Sequence, residues 1–433
     1  MGPGARRARA RWHCLQSRLV TAVTAFAVAP RQTQGAAAGK EGSTTIYLDH
    51  AATSHPKPPE VVAAVARTLS EANGSPGRGS HRLAVAAARL VFEARENLAG
   101  LLGVPDSARL IFTSSATDGL NAAIHGTLTG PGEAVCSAYE HNAVLRPLAA
   151  WARRTGGRVR VVAPGGGGPL DLAAFRQAVG PHTRLVVLTQ ASNVSGEILP
   201  VPDAAEICRQ ADVPLVVDAA QTAGHLPCDW GRLGAAAVVS AGHKGLLGPQ
   251  GTGVLYLAPG FLPEPVRQGG TGGNSEEDVQ PSWLPDRYES GTLNTPGIAG
   301  LGEAARLLAL RRLAQEREHE LALTARLLAG LQGIGRVRIQ GDADPRRRVG
   351  VVSFTVTGWD PAAIGQQLDE CFGVLTRTGL HCAPLAHRTL GTFPAGTVRM
   401  SLGWASTEAD VDTALAAVAW LASREEAAVC GSS

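Results

Sequence analysis

The sequence predicts an α/β protein: a large domain on a mostly parallel seven-stranded sheet, followed by a smaller α/β domain. Three observations carry this. Seven short apolar runs recur along residues 110–257, with helix-like stretches between most of them. Most of the runs are apolar throughout rather than alternating, as strands covered on both faces must be. The chain has 433 residues, 44% apolar and 18% charged, which exceeds one ordinary domain and sustains a sizeable core.

Residues 1–42 are rich in Arg and Ala and lack a helical or strand period. They read as a disordered extension in preference to a targeting segment, although Leu19–Ala29 is apolar and follows arginines. Order begins at Ile46. Residues 59–70 and 82–102 read as amphipathic helices. The strand-like runs are Leu110–Phe112, Ala134–Cys136, Val159–Val162, Leu185–Leu188, Leu215–Val217, Ala236–Val239 and Val254–Leu257. Helices are expected around 117–128, 143–154, 171–179 and 203–211, with Gly165–Gly168 as a turn. A long helical stretch, about 296–331, comes next. Strands near 336–339 and 350–356, a helix at 360–371, a strand near 397–402 and a helix at 407–423 complete the chain. The expected division is an extension at 1–42, a large domain at 43–300 and a small domain at 301–433. The first ordered segment is expected to pack with the small domain.

Composition excludes several functions. The net charge is +3, but residues 1–40 hold seven basic side chains and no acidic one, leaving 33 basic against 37 acidic in the body. A mildly acidic body offers nothing general to nucleic acid. No apolar run is long enough to span a bilayer. The seven cysteines form no CxxC pair, so no metal site and no disulfide framework is expected, and a cytoplasmic location is the default.

Lysine is scarce. It occurs at Lys40, Lys57 and Lys244 only, and arginine supplies the other 37 of 40 basic residues. Lys244 follows a predicted strand in Ser240-Ala241-Gly242-His243-Lys244-Gly245, and a solvated surface lysine is out of character for this chain. Pyridoxal 5'-phosphate (PLP) chemistry needs a primary amine, which Arg cannot replace. It also needs an anion for the pyridinium nitrogen. Asp218, closing Leu215-Val216-Val217-Asp218, suits that role, where alone it would read as a helix cap. The hydroxyl-rich turn Thr113-Ser114-Ser115-Ala116-Thr117-Asp118-Gly119 leads from a strand into a helix and suits a phosphate, or equally an ordinary capping turn. In open parallel sheets such residues collect at the carboxyl ends of strands.

Six segments together resemble the class V aminotransferase-fold cysteine desulfurases. They are Tyr47-Leu48-Asp49-His50-Ala51-Ala52-Thr53, Glu140-His141-Asn142, Ser192-Asn193-Val194-Ser195-Gly196, Val217-Asp218-Ala219-Ala220-Gln221, Gly242-His243-Lys244 and Glu289-Ser290-Gly291-Thr292-Leu293-Asn294. The resemblance runs from about 46 to 424. Arg377-Thr378-Gly379-Leu380-His381-Cys382-Ala383-Pro384 resembles the short catalytic loop of the type II (SUF-type) and selenocysteine lyase branch.

The resemblance implies the PLP-dependent transferase fold type I and a set of roles. Lys244 is similar to the lysine that bonds the cofactor, and Asp218 to the pyridinium partner. Gln221 and Asn193 match side chains near the ring oxygen, and His141 the histidine stacked on the ring. Thr117, with Ala116 beside it, and His243 match phosphate ligands. Thr292 matches a residue lent by the partner subunit, which implies a homodimer. Arg399 matches the arginine that grips the substrate carboxylate, with Arg377 and Asn193 beside it. Cys382 matches the thiol that takes the sulfur, and His381 and Arg377 near it favour the thiolate. Relatives often carry Ser where this chain has Ala241, so either Ser240 shifts in or the phosphate is held with one hydroxyl fewer. Ser115-Ala116 stands where relatives often have Gly-Thr, and Leu380-His381 where they often have two histidines.

The implied reaction converts L-cysteine to L-alanine with a persulfide on Cys382, for transfer to an acceptor protein. Catalysis is expected of Lys244, Cys382 and His141. The competing readings are a selenocysteine lyase acting on L-selenocysteine, another PLP C–S lyase or aminotransferase, and an inactive PLP-binding scaffold in a sulfur-transfer complex.

Overall fold

A computed structural model describes residues 45–425 apart from 78, 228, 274, 275 and 312. The extension at 1–42 lies outside the described residues. In chain order, β1 is Ile46–Tyr47, α1 Pro59–Glu71, α2 Arg82–Leu102, β2 Leu110–Thr113, α3 Ala116–Thr127, β3 Glu133–Ser137 and α4 Asn142–Thr155. Then come β4 Arg158–Val162, α5 Leu172–Ala178, β5 Thr183–Thr189, α6 Val201–Gln210, β6 Leu215–Asp218, β7 Ala237–Ala241 and β8 Gly253–Leu257. The rest comprises α7 Thr295–Arg311, α8 Leu313–Gln332, β9 Val337–Ile339, β10 Val351–Val356, α9 Pro361–Phe372, β11 Val374–Leu375, β12 Arg377–Gly379, α10 Pro384–Leu390, β13 Thr397–Ser401 and α11 Glu408–Ala422.

The large sheet has seven strands in the order β2-β8-β7-β6-β5-β3-β4. β3 to β7 pair in parallel, and β8 alone runs antiparallel, to both β7 and β2. Val216, Val217, Val238 and Val239 are inaccessible to water, as the unbroken apolar runs require. Clusters line both faces, one including Val217 and Val238 and the other Val216 and Val239. Helix ends follow ordinary chemistry: His141 caps α4 by accepting from the Ala143 N–H, and Gly156 closes it in the left-handed region. Gly165–Gly168 is the expected turn, closed by reciprocal backbone bonds.

The second sheet is antiparallel, β12-β13-β10-β9, with β1 and β11 as a separate parallel pair. Ile46 and Leu48 join the cluster formed by Leu323, Phe354, Leu368 and Val418, so the first ordered segment packs in the small lobe. Helix α7 packs in the large lobe through Ile298, Leu301, Ala305 and Leu308, so the expected division at residue 300 falls inside a helix. β11, β12 and α10 carry too few apolar residues to have been legible. β12 exists because Arg377-Thr378-Gly379 finds a partner in β13, which pairs Arg377 with Arg399. The described residues make one compact unit.

Candidate active site

The carboxyl ends of the parallel strands open on one cavity of about 220 Å³. The large lobe supplies Ala116 and Thr117 from the start of α3, His141 from the cap of α4, and Asn193, Asp218, Gln221, His243 and Lys244 from beyond β5, β6 and β7. The small lobe supplies Arg377, His381 and Arg399. The β12–β13 register makes the two arginines direct cross-strand neighbours, which aims them the same way.

Burial sets the charge states. It pushes Lys244 down to about 8; Asp218 and Cys382 resist that shift, and Arg399 and Arg377 add to it. Lys244 therefore feels all four of these groups. Burial raises Asp218, against the Ala220 N–H that its Oδ1 accepts at 2.9 Å and against Lys244. His141 and His243 are both pushed down to about 4, chiefly by burial and then by Lys244, so both are neutral at neutral pH. The His141 Nδ1 accepts from Ala143 N at 3.0 Å, which leaves Nε2 as its protonated nitrogen.

Arg399 is 1% exposed. Its guanidinium donates to Asp49 Oδ1 at 2.6 Å and to the Asn193 carbonyl at 3.1 Å. Arg399 Nε, Asn193 Oδ1 and His243 Nδ1 are buried polar atoms without a protein partner. Unsatisfied groups of this kind around a polar cavity mark a ligand's place. An amine, a carboxyl, neutral imidazoles and the hydroxyl-rich start of a helix are the donor set that a pyridine ring with a phosphate requires.

Cys382 is exposed and follows buried His381 in a turn between β12 and α10. His381 and Cys382 have φ of 48° and 58°, the left-handed region that side chains other than glycine rarely occupy. Four bonds hold the turn. Asn193 Nδ2 donates to the His381 carbonyl at 2.7 Å and Asn142 N to the Cys382 carbonyl at 2.8 Å. Ala383 N donates to Leu380 O at 2.8 Å, and His381 Nε2 meets Thr397 Oγ1 at 3.0 Å. An Arg377 N–H reaches the Cys382 sulfur at 3.6 Å.

Two expectations need restating. Ser240 does not shift in: its hydroxyl donates to the Ala219 carbonyl at 3.3 Å, and Ala241 is the residue facing the cavity. Strand alternation is the reason, since neighbours in β7 point to opposite faces. His381 cannot favour a thiolate as a cation, because burial, with Arg399 next, pushes it far down and keeps it neutral. Thr292, which the resemblance lends to a partner subunit's site, is exposed and does not line this chain's own cavity.

Sequence reasoning gave no role to Asp49 or Thr189. Asp49 lay inside a motif already noted, and a carboxylate directly after Leu48 at the end of a buried strand was the available signal. Thr189 lines the cavity as an ordinary hydroxyl, without a pattern to mark it, and Ser115 lines it from the hydroxyl-rich turn already noted.

The family description Aminotransferase class-V matches residues 46–414. The chain belongs to the class-V aminotransferase family. Within this family it groups with the cysteine desulfurases. It is 33% identical over 374 residues to a probable cysteine desulfurase of Methanothermobacter thermautotrophicus, covering 84% of this chain and 92% of that one. It is 31% identical to a cysteine desulfurase of Klebsiella pneumoniae, covering 87% and 93%. The apo cysteine desulfurase of Thermococcus onnurineus superposes with a TM-score of 0.82 at 30% identity, over 88% of this chain and 95% of that one. The cysteine desulfurase CsdA of Escherichia coli, in an S-sulfonic acid form, superposes with a TM-score of 0.77 at 28% identity, over 86% and 94%. This class-V aminotransferase thus shares its fold and most of its length with cysteine desulfurases.

Proposed function

We propose that the chain is a PLP-dependent cysteine desulfurase that converts L-cysteine to L-alanine and holds the sulfur as a persulfide on Cys382. One observation carries the reading: a lysine, a buried aspartate and a buried arginine line a single cavity, and the cysteine on the adjoining loop follows His381, which lines it too. Lys244 would hold the cofactor, with Asp218 at its ring nitrogen, His141 against the ring, Gln221 and Asn193 at its edge, and Ala116, Thr117 and His243 around the phosphate. Bound there, PLP supplies an electron sink for the bond pair released at the substrate Cα.

The chain's own residues do the rest. Arg399 grips the substrate carboxylate, and Arg377, its cross-strand neighbour, adds a second cation. Lys244, pushed down to about 8, is partly neutral near neutral pH, so its amine can take and return the Cα proton. The Cys382 sulfur attacks the substrate sulfur: the Cβ–S bond breaks, an S–S bond forms, and the carbon product gains a proton to become alanine. Exposure of Cys382 leaves the new persulfide open to a sulfur-acceptor protein. Exposed Thr292 is available to a second copy, in keeping with a homodimer. Among the described residues no helix is long and apolar enough to cross a membrane.

Assaying the purified protein with L-cysteine and L-selenocysteine, for alanine and for sulfide or selenide, tests the reading. Alanine from cysteine with sulfur retained on the enzyme supports it. Turnover of selenocysteine alone would make the chain a selenocysteine lyase, and pyruvate would make it a simple C–S lyase. Turnover of neither would leave the inactive scaffold.

A further inference from the structure

We propose that Lys57 is a positioning residue for Lys244: its ammonium pins the carbonyl of the preceding residue and so fixes the turn from which the Lys244 amine enters the cavity. The functional side of this proposal rests on the reading of Lys244 as the cofactor-bearing lysine.

Lys57 Nζ donates to the His243 carbonyl at 2.8 Å and to Ser54 Oγ at 2.7 Å. The same carbonyl accepts from Ser54 N at 3.0 Å, Thr53 Oγ1 at 3.1 Å and Ser54 Oγ at 3.2 Å. A carbonyl oxygen has two lone pairs. Here four donors from one five-residue stretch converge on it, immediately before Lys244. The turn is closed on its other side by Leu247 N to Lys244 O at 2.9 Å and by Gly248 N to Gly242 O at 2.7 Å.

Lys57 is expensive to keep there. It is half-buried, and among the described residues no carboxylate pairs with its ammonium. Burial alone pushes it down to about 8. A chain with 37 arginines and three lysines has placed a lysine where a compact three-donor head fits one carbonyl and one hydroxyl, which a planar guanidinium does less well.

The same segment reaches the other end of the site. Asp49 holds Arg399 at 2.6 Å, and the Ala51 N–H donates to Ser401 Oγ at 2.9 Å. Tyr47 Oη donates to the Thr53 carbonyl at 2.9 Å, bracing the stretch between them. One short segment thus ties the arginine for the substrate carboxylate to the lysine for the Cα proton. Lys57 is its last bond on the lysine side.

The test compares wild type, Lys57→Met and Lys57→Arg as full chains purified with PLP. Hydrogen–deuterium exchange is read on the peptide covering Gly242–Gly248. Visible circular dichroism of bound PLP, kcat, KM for cysteine and Tm are read alongside. Lys57→Met is expected to raise exchange in that peptide ~10-fold and to weaken the visible dichroism. It should lower kcat ~10- to 100-fold with KM changed less than ~3-fold, the cost of a misplaced catalytic amine. Lys57→Arg should recover part of each. Exchange and dichroism at wild-type values in Lys57→Met would overturn the proposal, as would a lower Tm with local exchange and kcat of the folded protein unchanged. If Lys57→Met does not fold, Lys57→Gln, neutral but still a donor, carries the same test with a smaller expected loss. Borohydride trapping on the wild type keeps the two readings apart: absence of PLP on Lys244 would sink the assignment of the cavity, while the exchange measurement still decides the clamp.

Discussion

Removing Arg95 should destabilise the protein severely and loosen the stretch that Glu289 opens. The Arg95 guanidinium meets the Glu289 carboxylate through two parallel bonds of 2.8 Å, with side chains 7% and 5% exposed. Glu289 also accepts the Phe112 N–H at 2.6 Å, and Arg95 lies 4.5 Å over the Phe112 ring. Arg95→Met therefore strands a buried carboxylate with one backbone donor. Breaking a buried pair from one side costs about 3–5 kcal/mol. With a urea m-value of about 3 kcal/mol per molar, the midpoint should fall by about 1 M or more. The double variant Arg95→Met/Glu289→Met should be less destabilised than Arg95→Met, because no charge is left stranded. Glu289 opens the stretch that carries exposed Thr292, so PLP affinity should fall although Lys244 is untouched. A loss below about 1 kcal/mol in Arg95→Met, or a double variant worse than the sum of the singles, would refute the reasoning.

Further outcomes follow from the site. Cys382→Ser should keep PLP on Lys244 while alanine formation from cysteine falls by orders of magnitude and selenocysteine turnover falls much less, as product assays would show. Glu140, fully buried and bonded to Ser137 Oγ at 2.5 Å and Thr189 N at 2.9 Å, is pushed up to about 8, chiefly by burial. The folded state then keeps a proton that the unfolded state has already lost, so this group makes stability fall as pH rises from the ordinary carboxylate range to about 8. The slope is about 1.4 kcal/mol per pH unit, and Glu140→Gln should flatten it in denaturation series across that window; parallel slopes would contradict the assignment. Gly242→Ala should cost about 1–3 kcal/mol and reduce PLP incorporation, since its Cβ would meet Thr252 Oγ1 at 2.2 Å. Wild-type stability and loading would count against the tight turn.

The large sheet was legible because β2, β3 and β5 to β8 are apolar runs that need no distant partner to be recognised. The small-lobe elements β11 and β12 were not, because each exists only through pairing: Val374–Leu375 with β1, and Arg377–Gly379 with β13. In the site, Lys244 was legible from scarcity and Asp218 from its place at the end of a strand. The Asp49–Arg399 pair was not, since its members lie 350 positions apart in sequence. Ser240 misled because its neighbour's identity said nothing about which face of β7 each residue would take. His381 misled in the same way: nearness to Cys382 in sequence suggested a cation, and burial made it a neutral anchor for the turn.

The central claim is that sulfur leaves cysteine for Cys382. Incubating the wild-type protein with L-cysteine, then mapping its peptides by mass, tests this directly. The account predicts alanine as product and one extra sulfur atom on the peptide containing Cys382, removable by a reducing thiol, with the other cysteines unmodified. Alanine formed while Cys382 stays free, or sulfur accumulating on Cys371 instead, would contradict it.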